Sequence, residues 1–193
     1  MNVFIACYWL ALLIEIIVRA PFQKASQASP KLEQRISPAE KLIPGLLTIG
    51  MILFPLLYSV THWLDFANYS LPGWMGWLGI CLLAGALLVF ARSHIDLKAN
   101  WSPTLEIRKD HTLVTTGIYA IIRHPMYTSQ WLWVIAQILL LQNWLAGPLN
   151  LLVFTVFYII RLQAEEKMML ETFGSQYSEY MQKVGGLIPK LFE

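Results

Sequence analysis

The chain has 193 residues, of which 56% are hydrophobic and only 13% charged, with a formal net charge of +2. Globular domains carry about 25% charged residues, so this composition excludes a disordered chain, a coiled coil and a collagen-like fibre, and it leaves a soluble domain without enough polar residues to cover its surface. So small a net charge also argues against nucleic acid as a partner, and what remains is a membrane protein.

Five apolar stretches follow in chain order: Val3–Val18, Leu46–Val60, Trp74–Ala91, Tyr127–Leu141 and Trp144–Ile160. A bilayer takes about 20 helical residues to cross, so each core needs a turn of flanking residues, and the flanks allow it. The runs are continuous rather than alternating, which favours helices over a barrel. The first has the length of a signal-peptide core. No Lys or Arg precedes it, however, and Arg19-Ala20-Pro21 is a poor cleavage site, so it reads as an uncleaved helix. Glu15 lies four residues before Arg19 near the inner end of this helix, which predicts snorkelling and ion pairing. The segment 19–41, rich in Ser, Gln and Pro, reads as a connecting loop. Gly73, Gly76 and Gly79 lead into the third span and predict close helix packing. Gln142 and Asn143 join the last two spans in a tight antiparallel hairpin, with Pro148 in the first turn of the fifth. Beyond it a helix over Arg161–Phe173 is expected to stop at Gly174, with a second short helix through Gln176–Gln182. Cys7 and Cys81 lie in apolar runs and offer neither a disulfide framework nor metal-ligand spacing.

Placement of charge sets the topology. All 14 Lys and Arg residues fall in three segments, 19–41, 92–126 and 161–193. The N-terminus, the 61–73 loop and the 142–143 turn have none. The positive-inside rule then puts the N-terminus outside and the C-terminus in the cytoplasm, as five spans require.

The polar chemistry collects in the second and third of these segments. His94, His111 and His124 lie in the second and His62 on the outer side. In Arg123-His124-Pro125 the proline suits the first turn of a helix, leaving His124 near the N-cap. Free N–H groups and the helix dipole there suit an anion; equally, Arg123 and His124 could simply anchor the helix at the headgroups. Arg161 and Glu165 share a helix face at i, i+4, either as a surface ion pair or as two opposite charges holding parts of a ligand. Glu166 lies about 100° further round, toward water or headgroups. There is no Walker motif, HExxH, GxSxG or Rossmann glycine pattern.

Two separated blocks carry a resemblance. Gly117-Ile118-Tyr119 with Arg123-His124-Pro125-Met126-Tyr127 matches Gly-(Ile/Val)-Tyr-x3-Arg-His-Pro-x-Tyr. Arg161, Glu165, Glu166, Met169, Phe173-Gly174, Tyr177 and Tyr180 match the Arg-x3-Glu-Glu pattern and its aromatic sequel. Together they resemble the isoprenylcysteine carboxyl methyltransferase family, within a wider group that includes phospholipid N-methyltransferases. His111 to Val114 is similar to that family's stretch before the Gly-x-Tyr. The motif-bearing region is 100–187, and the short five-span layout resembles prokaryotic members, so 1–193 reads as a single integral-membrane domain.

The resemblance implies an all-α integral membrane bundle of five transmembrane helices, its cofactor pocket cytoplasmic and formed by the 92–126 segment and the C-terminal helices. It implies S-adenosyl-L-methionine as methyl donor and a lipophilic, prenyl- or lipid-like acceptor entering from the bilayer of a prokaryotic inner membrane. Carried over residue by residue, it puts His111, Thr112, Leu113, Val114, Tyr119, His124, Pro125, Met126, Tyr127 and Glu165 at the cofactor and Arg161 at the acceptor. A further upstream cofactor contact falls on Thr104 or Glu106. Arg161 favours a carboxylate acceptor over the amine of a lipid N-methyltransferase. Two readings outside methyl transfer stay open. One is a sterol-type reductase, which shares an Arg-x-Pro-x-Tyr element but uses a nicotinamide cofactor, and the second is a non-catalytic membrane scaffold or a transporter, the latter disfavoured by polar groups that cluster on one side rather than at the midplane.

Overall fold

The computed structural model describes residues 2–28, 31–34, 38–104, 106–108 and 112–190, without the side chains of 31–34, 38–41, 99 and 107–108. His111 lies outside the described residues. The elements run α1 (Val3–Ala28), β1 (Lys31–Gln34), α2 (Pro38–Thr48), a π-helical turn (Ile49–Leu53), α3 (Phe54–Val60), α4 (Gly73–Leu97), β2 (Glu106–Arg108), α5 (Pro125–Leu141), α6 (Pro148–Phe173) and α7 (Ser175–Lys183). Short 3-10 turns occupy Asp65–Ala67, Lys98–Asn100 and Gly117–Ala120.

Among the described residues, three helical stretches are long and apolar enough to cross a membrane: Val3–Ala28, Leu42–Val60 and Gly73–Leu97. Of the other two expected spans, α5 has 17 residues, and the C-terminal half of α6 becomes charged from Arg161 onward. The helices are supplemented by one antiparallel ribbon, absent from the all-helical expectation, which pairs Lys31 with Arg108 and Gln34 with Glu106.

Several boundaries move for physical reasons. The expected loop over 19–41 begins instead as helix: α1 continues through Pro21 to Ala28. Ser26 is buried there, and the Phe22 ring packs 5.0 Å from the His94 ring. Tertiary contact thus outweighs the cost of an interior proline. Likewise α4 runs past Ala91 to Leu97, so Arg92 and Asp96 pair one turn apart, at 2.9 Å. The hairpin after α5 is longer than two residues. Gln142 turns left-handed, Asn143 binds the backbone N–H groups of Leu145 and Ala146, and α6 starts at Pro148 as its first residue. Gly174, with φ +53°, ends α6 as expected, and α7 follows at once.

The core sits where α1, α4 and α5 meet, around Tyr8, Leu83, Ala86, Trp133, Ala136 and Leu140. A Cβ at Gly76 would overlap the Phe4 ring and one at Gly79 would press on Leu139 and Leu140, so these two glycines do set close helix approach, whereas Gly73 faces open space. In lipid, such association rests on packing and interhelical hydrogen bonds. The buried Gln137 donates to the Gly50 carbonyl at 2.9 Å and accepts from Asn150 at 2.9 Å, and Tyr8 donates to the Met51 carbonyl at 2.7 Å. Both carbonyls belong to the π-helical turn, whose altered register would otherwise leave backbone groups unsatisfied. Large apolar residues such as Leu10, Ile17, Leu42, Leu88 and Leu152 are exposed, as lipid contact requires. Both cysteines are free.

Candidate functional site

Local geometry at the end of α4 positions the first motif block. Asp96 accepts from Arg92 Nε at 2.9 Å and from the Ile118 backbone N–H at 2.7 Å. Gly117 has φ +64°, and a Cβ there would overlap the Asp96 carboxylate. Only glycine combines that backbone conformation with so close a carboxylate. The resulting 3-10 turn buries Tyr119, whose backbone carbonyl accepts from the Tyr180 hydroxyl at 2.5 Å. The chain then reaches His124, the N-cap of α5, and Pro125, its first residue.

The second block meets the first here. His124 is buried, with Nε2 3.1 Å from Glu166 Oε1 and Nδ1 3.8 Å from Glu165 Oε1. Arg123 Nη2 reaches the same Glu166 oxygen at 3.1 Å. Tyr127 donates to Glu165 Oε2 at 2.5 Å. Burial opposes charge on His124, but the negative charge of Glu165 and Glu166, with the hydrogen bond to Glu166, wins and raises its pKa to about 9. Glu165 is held below the usual carboxylate range: burial works against ionisation, and His124, Tyr127 and Arg161 overcome it. Glu166 is also lowered, first by its hydrogen bond to His124 and further by Arg123, against opposition from burial. At neutral pH the cluster therefore holds an imidazolium between two carboxylates. Glu166 does not point into water or headgroups as expected, because α7 and the segment after it fold back and bring Arg123 to it.

That returning segment also occupies part of the expected anion site. The His124 N–H donates to the Gly186 carbonyl at 3.1 Å, the Arg123 N–H to Gly185 at 2.8 Å, and the Thr128 hydroxyl to Leu187 at 2.7 Å. Arg123 Nη1 donates to the carbonyls of Met181 and Val184. Arg123 is thus neither a headgroup anchor nor a free cation.

Beside the cluster lies a cavity of about 500 Å³, within the range of small-molecule sites. Thr112, Leu113, Val114, Tyr119, His124, Pro125, Met126, Tyr127, Arg161 and Glu165 all line it. Thr104 and Glu106 both line it as well, the Thr104 hydroxyl donating to Glu106 Oε2 at 2.8 Å. Arg161 is nearly buried and donates from Nη2 to the Pro103 carbonyl at 3.3 Å, with its guanidinium 6.0 Å from the Phe157 ring centre. Asn100 exchanges two hydrogen bonds with Thr112, to its hydroxyl at 3.1 Å and from its N–H at 3.0 Å. Trp101 Nε1 donates to Met126 Sδ at 3.2 Å.

Residues from outside the two blocks complete the wall. Leu12, Glu15 and Arg19 come from α1, Met51 and Ile52 from the π-helical turn, and Gln130 from α5. Glu15 pairs with Arg19 at 3.3 Å, as the spacing predicts, but also accepts from Gln130 at 3.3 Å. A carboxylate inside an apolar run is the one sequence signal for Glu15; nothing in the sequence points to Gln130 or Trp101.

Fold and cavity together define a helical membrane protein in which two sequence blocks converge on a ligand-sized, largely apolar cavity with a charged cluster in its wall. The chain belongs to the isoprenylcysteine carboxyl methyltransferase (ICMT) family, whose model matches residues 77–171. It is 33% identical over 140 residues to the protein-S-isoprenylcysteine O-methyltransferase of Tribolium castaneum, covering 68% of this chain and 50% of that protein. The Schizosaccharomyces pombe enzyme of the same name is 41% identical over 112 residues, covering 58% of this chain and 45% of its own length. A solved structure of the eukaryotic intramembrane Ras methyltransferase ICMT superposes with a TM-score of 0.55 at 28% identity, covering 94% of this chain and 62% of that one. The chain spans about half the length of these curated relatives.

Proposed function

We propose that the protein transfers a methyl group from S-adenosyl-L-methionine to the carboxylate of a lipophilic, isoprenylcysteine-like acceptor at the cytoplasmic face of a membrane. The observation that carries this reading is the shared cavity lined by Tyr119, His124–Tyr127, Arg161 and Glu165, residues from both halves of the family pattern. In this reading 1–193 is one domain. It crosses the membrane five times, with α5 and α6 as the last two spans, the N-terminus outside and the C-terminus in the cytoplasm of a prokaryotic cell.

The lining fits the proposed donor. That molecule carries an ammonium, a carboxylate, ribose hydroxyls and an adenine. An ionised Glu165 held by Tyr127 suits the ammonium or the ribose hydroxyls, and the His124 imidazolium suits the carboxylate. Tyr119, Tyr127 and the 111–114 stretch, with Pro125 and Met126, suit the adenine and the electron-poor sulfonium. When bound, the donor supplies an electrophilic methyl group.

The protein's own task is alignment. Arg161, fixed by the Pro103 carbonyl, offers a planar fork to the acceptor carboxylate and offsets its charge. A carboxylate is ionised at neutral pH, so no general base is needed. The apolar wall from α1, the π-helical turn and α6 suits a lipid-like chain. Methyl-labelling of native membranes tests the reading: base-labile methyl esters in a lipid-soluble product are expected, and label confined to lipid amines would overturn it in favour of N-methylation. Calorimetry of cofactor binding adds a second test. His124→Ala and Glu165→Ala should each weaken affinity, and unchanged affinity in both would refute the residue assignments.

A further inference from the structure

Glu15 is the part of the cavity wall that neither the methyl donor nor the acceptor carboxylate uses. It sits on α1, a helix apolar enough to cross a membrane, and its side chain is 8% exposed. Oε1 takes both nearby donors, Arg19 Nη2 at 3.3 Å and Gln130 Nε2 at 3.3 Å. Oε2 is enclosed and, among the described residues, has no donor. A carboxylate has room for about four hydrogen bonds, and burying it with one oxygen bare is costly. The Arg19 guanidinium is itself drawn aside, 5.1 Å over the Phe90 ring. Glu15 and Gln130 nevertheless line the same cavity as Arg161.

We propose that Glu15, oriented by Arg19 and Gln130, is a recognition point for an N–H donor that the acceptor carries close to its methyl-accepting carboxylate. The inference rests on the carboxyl-methylation reading and sharpens its substrate class. Arg161 on α6 takes the carboxylate, and Glu15 on α1 takes a neighbouring amide or ammonium N–H, so a plain lipophilic acid satisfies only one of them. The terminal torsion of a glutamate is broad, so a small rotation turns the bare oxygen to the cavity. An acceptor with no donor leaves that oxygen unsatisfied, and this is where discrimination arises.

Binding of two ligands to the purified full-length protein in detergent tests this without requiring turnover. One is N-acetyl-S-farnesylcysteine, which has an amide N–H. The other is 3-(farnesylthio)propionate, the same carboxylate and chain without it. The amide ligand should bind about tenfold more tightly, the ratio expected for one hydrogen bond to a charged group in a buried site. In Glu15→Leu the ratio should fall to about one. Glu15→Gln, which keeps an acceptor oxygen and a hydrogen bond toward Arg19, should retain part of it and carries the test if the leucine variant does not fold. A wild-type ratio near one, or a ratio that both variants preserve, overturns the inference while leaving carboxyl methylation standing. Binding of neither ligand by the wild type overturns both. If the Glu15 variants lose S-adenosylmethionine affinity rather than the ratio, the residue belongs to the donor's part of the cavity and the inference fails.

Discussion

Raising the pH tests the charge cluster that joins the two motif blocks. The His124 ring is buried at the start of α5, 3.1 Å from Glu166 and 3.8 Å from Glu165. Its pKa stands at about 9 against an ordinary value of 6.5. Because the folded value is the higher one, protonation of this ring stabilises the fold. The contribution is complete below pH 6.5 and is lost as the pH rises through 9. The difference corresponds to about 3 kcal/mol, since each pKa step is worth about 1.4 kcal/mol. Glu165 and Glu166 have lowered values, so their contribution is complete above the ordinary carboxylate range and is lost on acidification through those lowered values. The loss between pH 6.5 and 9 therefore belongs to the histidine. Unfolding of the detergent-solubilised protein, followed from about pH 6 to 9, should show wild type losing up to about 3 kcal/mol across this range while His124→Gln changes little. Glu166→Gln should move the loss to lower pH. A wild-type slope retained in full by His124→Gln, or a ring found neutral by NMR at about pH 7.5, would refute the reasoning.

Other substitutions probe separate links. Gly117→Ala places a Cβ against Asp96 at φ +64° and breaks the bond to the Ile118 N–H; a loss of about 3–5 kcal/mol is expected from left-handed strain and a charged hydrogen bond together, and an unchanged melting temperature would contradict it. Tyr127→Phe removes the donor to Glu165 Oε2 and should weaken S-adenosylmethionine binding roughly tenfold in calorimetry without unfolding the protein. Arg161→Lys replaces a fork with a point charge; kcat for a carboxylate acceptor should fall at least about a hundredfold while donor affinity changes less than about threefold, and the reverse pattern would move Arg161 to the donor side. Truncation after Lys183 deletes the carbonyls that receive the Arg123 and His124 N–H groups; circular dichroism should keep its helical signal while donor binding is lost.

The helices are legible because lipid demands a local pattern: continuous apolar runs, proline at the first helical position of α5 and α6, and glycine at the end of α6. Each of these depends only on neighbours in the chain. Helix ends that depend on partners are not legible. Phe22 extends α1 by packing on His94, and Asp96 extends the use of α4 by capturing the 117–118 turn. The β1–β2 ribbon joins residues more than seventy positions apart, and no local signal announces such a pair.

The site divides in the same way. The amino-acid sequence on its own settles which residue types stand in the two blocks, and the placement of its basic residues carries the expectation that both belong to one side. It also carries the family resemblance. Tertiary structure alone decides what those residues touch. It turns Glu166 from an outward-facing charge into the shared partner of Arg123 and His124, draws the 184–187 segment over the start of α5, and brings Glu15 and Gln130 to the cavity that Arg161 also lines. Hydropathy and spacing follow from covalent neighbours, whereas a pKa of about 9 or a carboxylate with one bare oxygen exists only once distant helices are packed together.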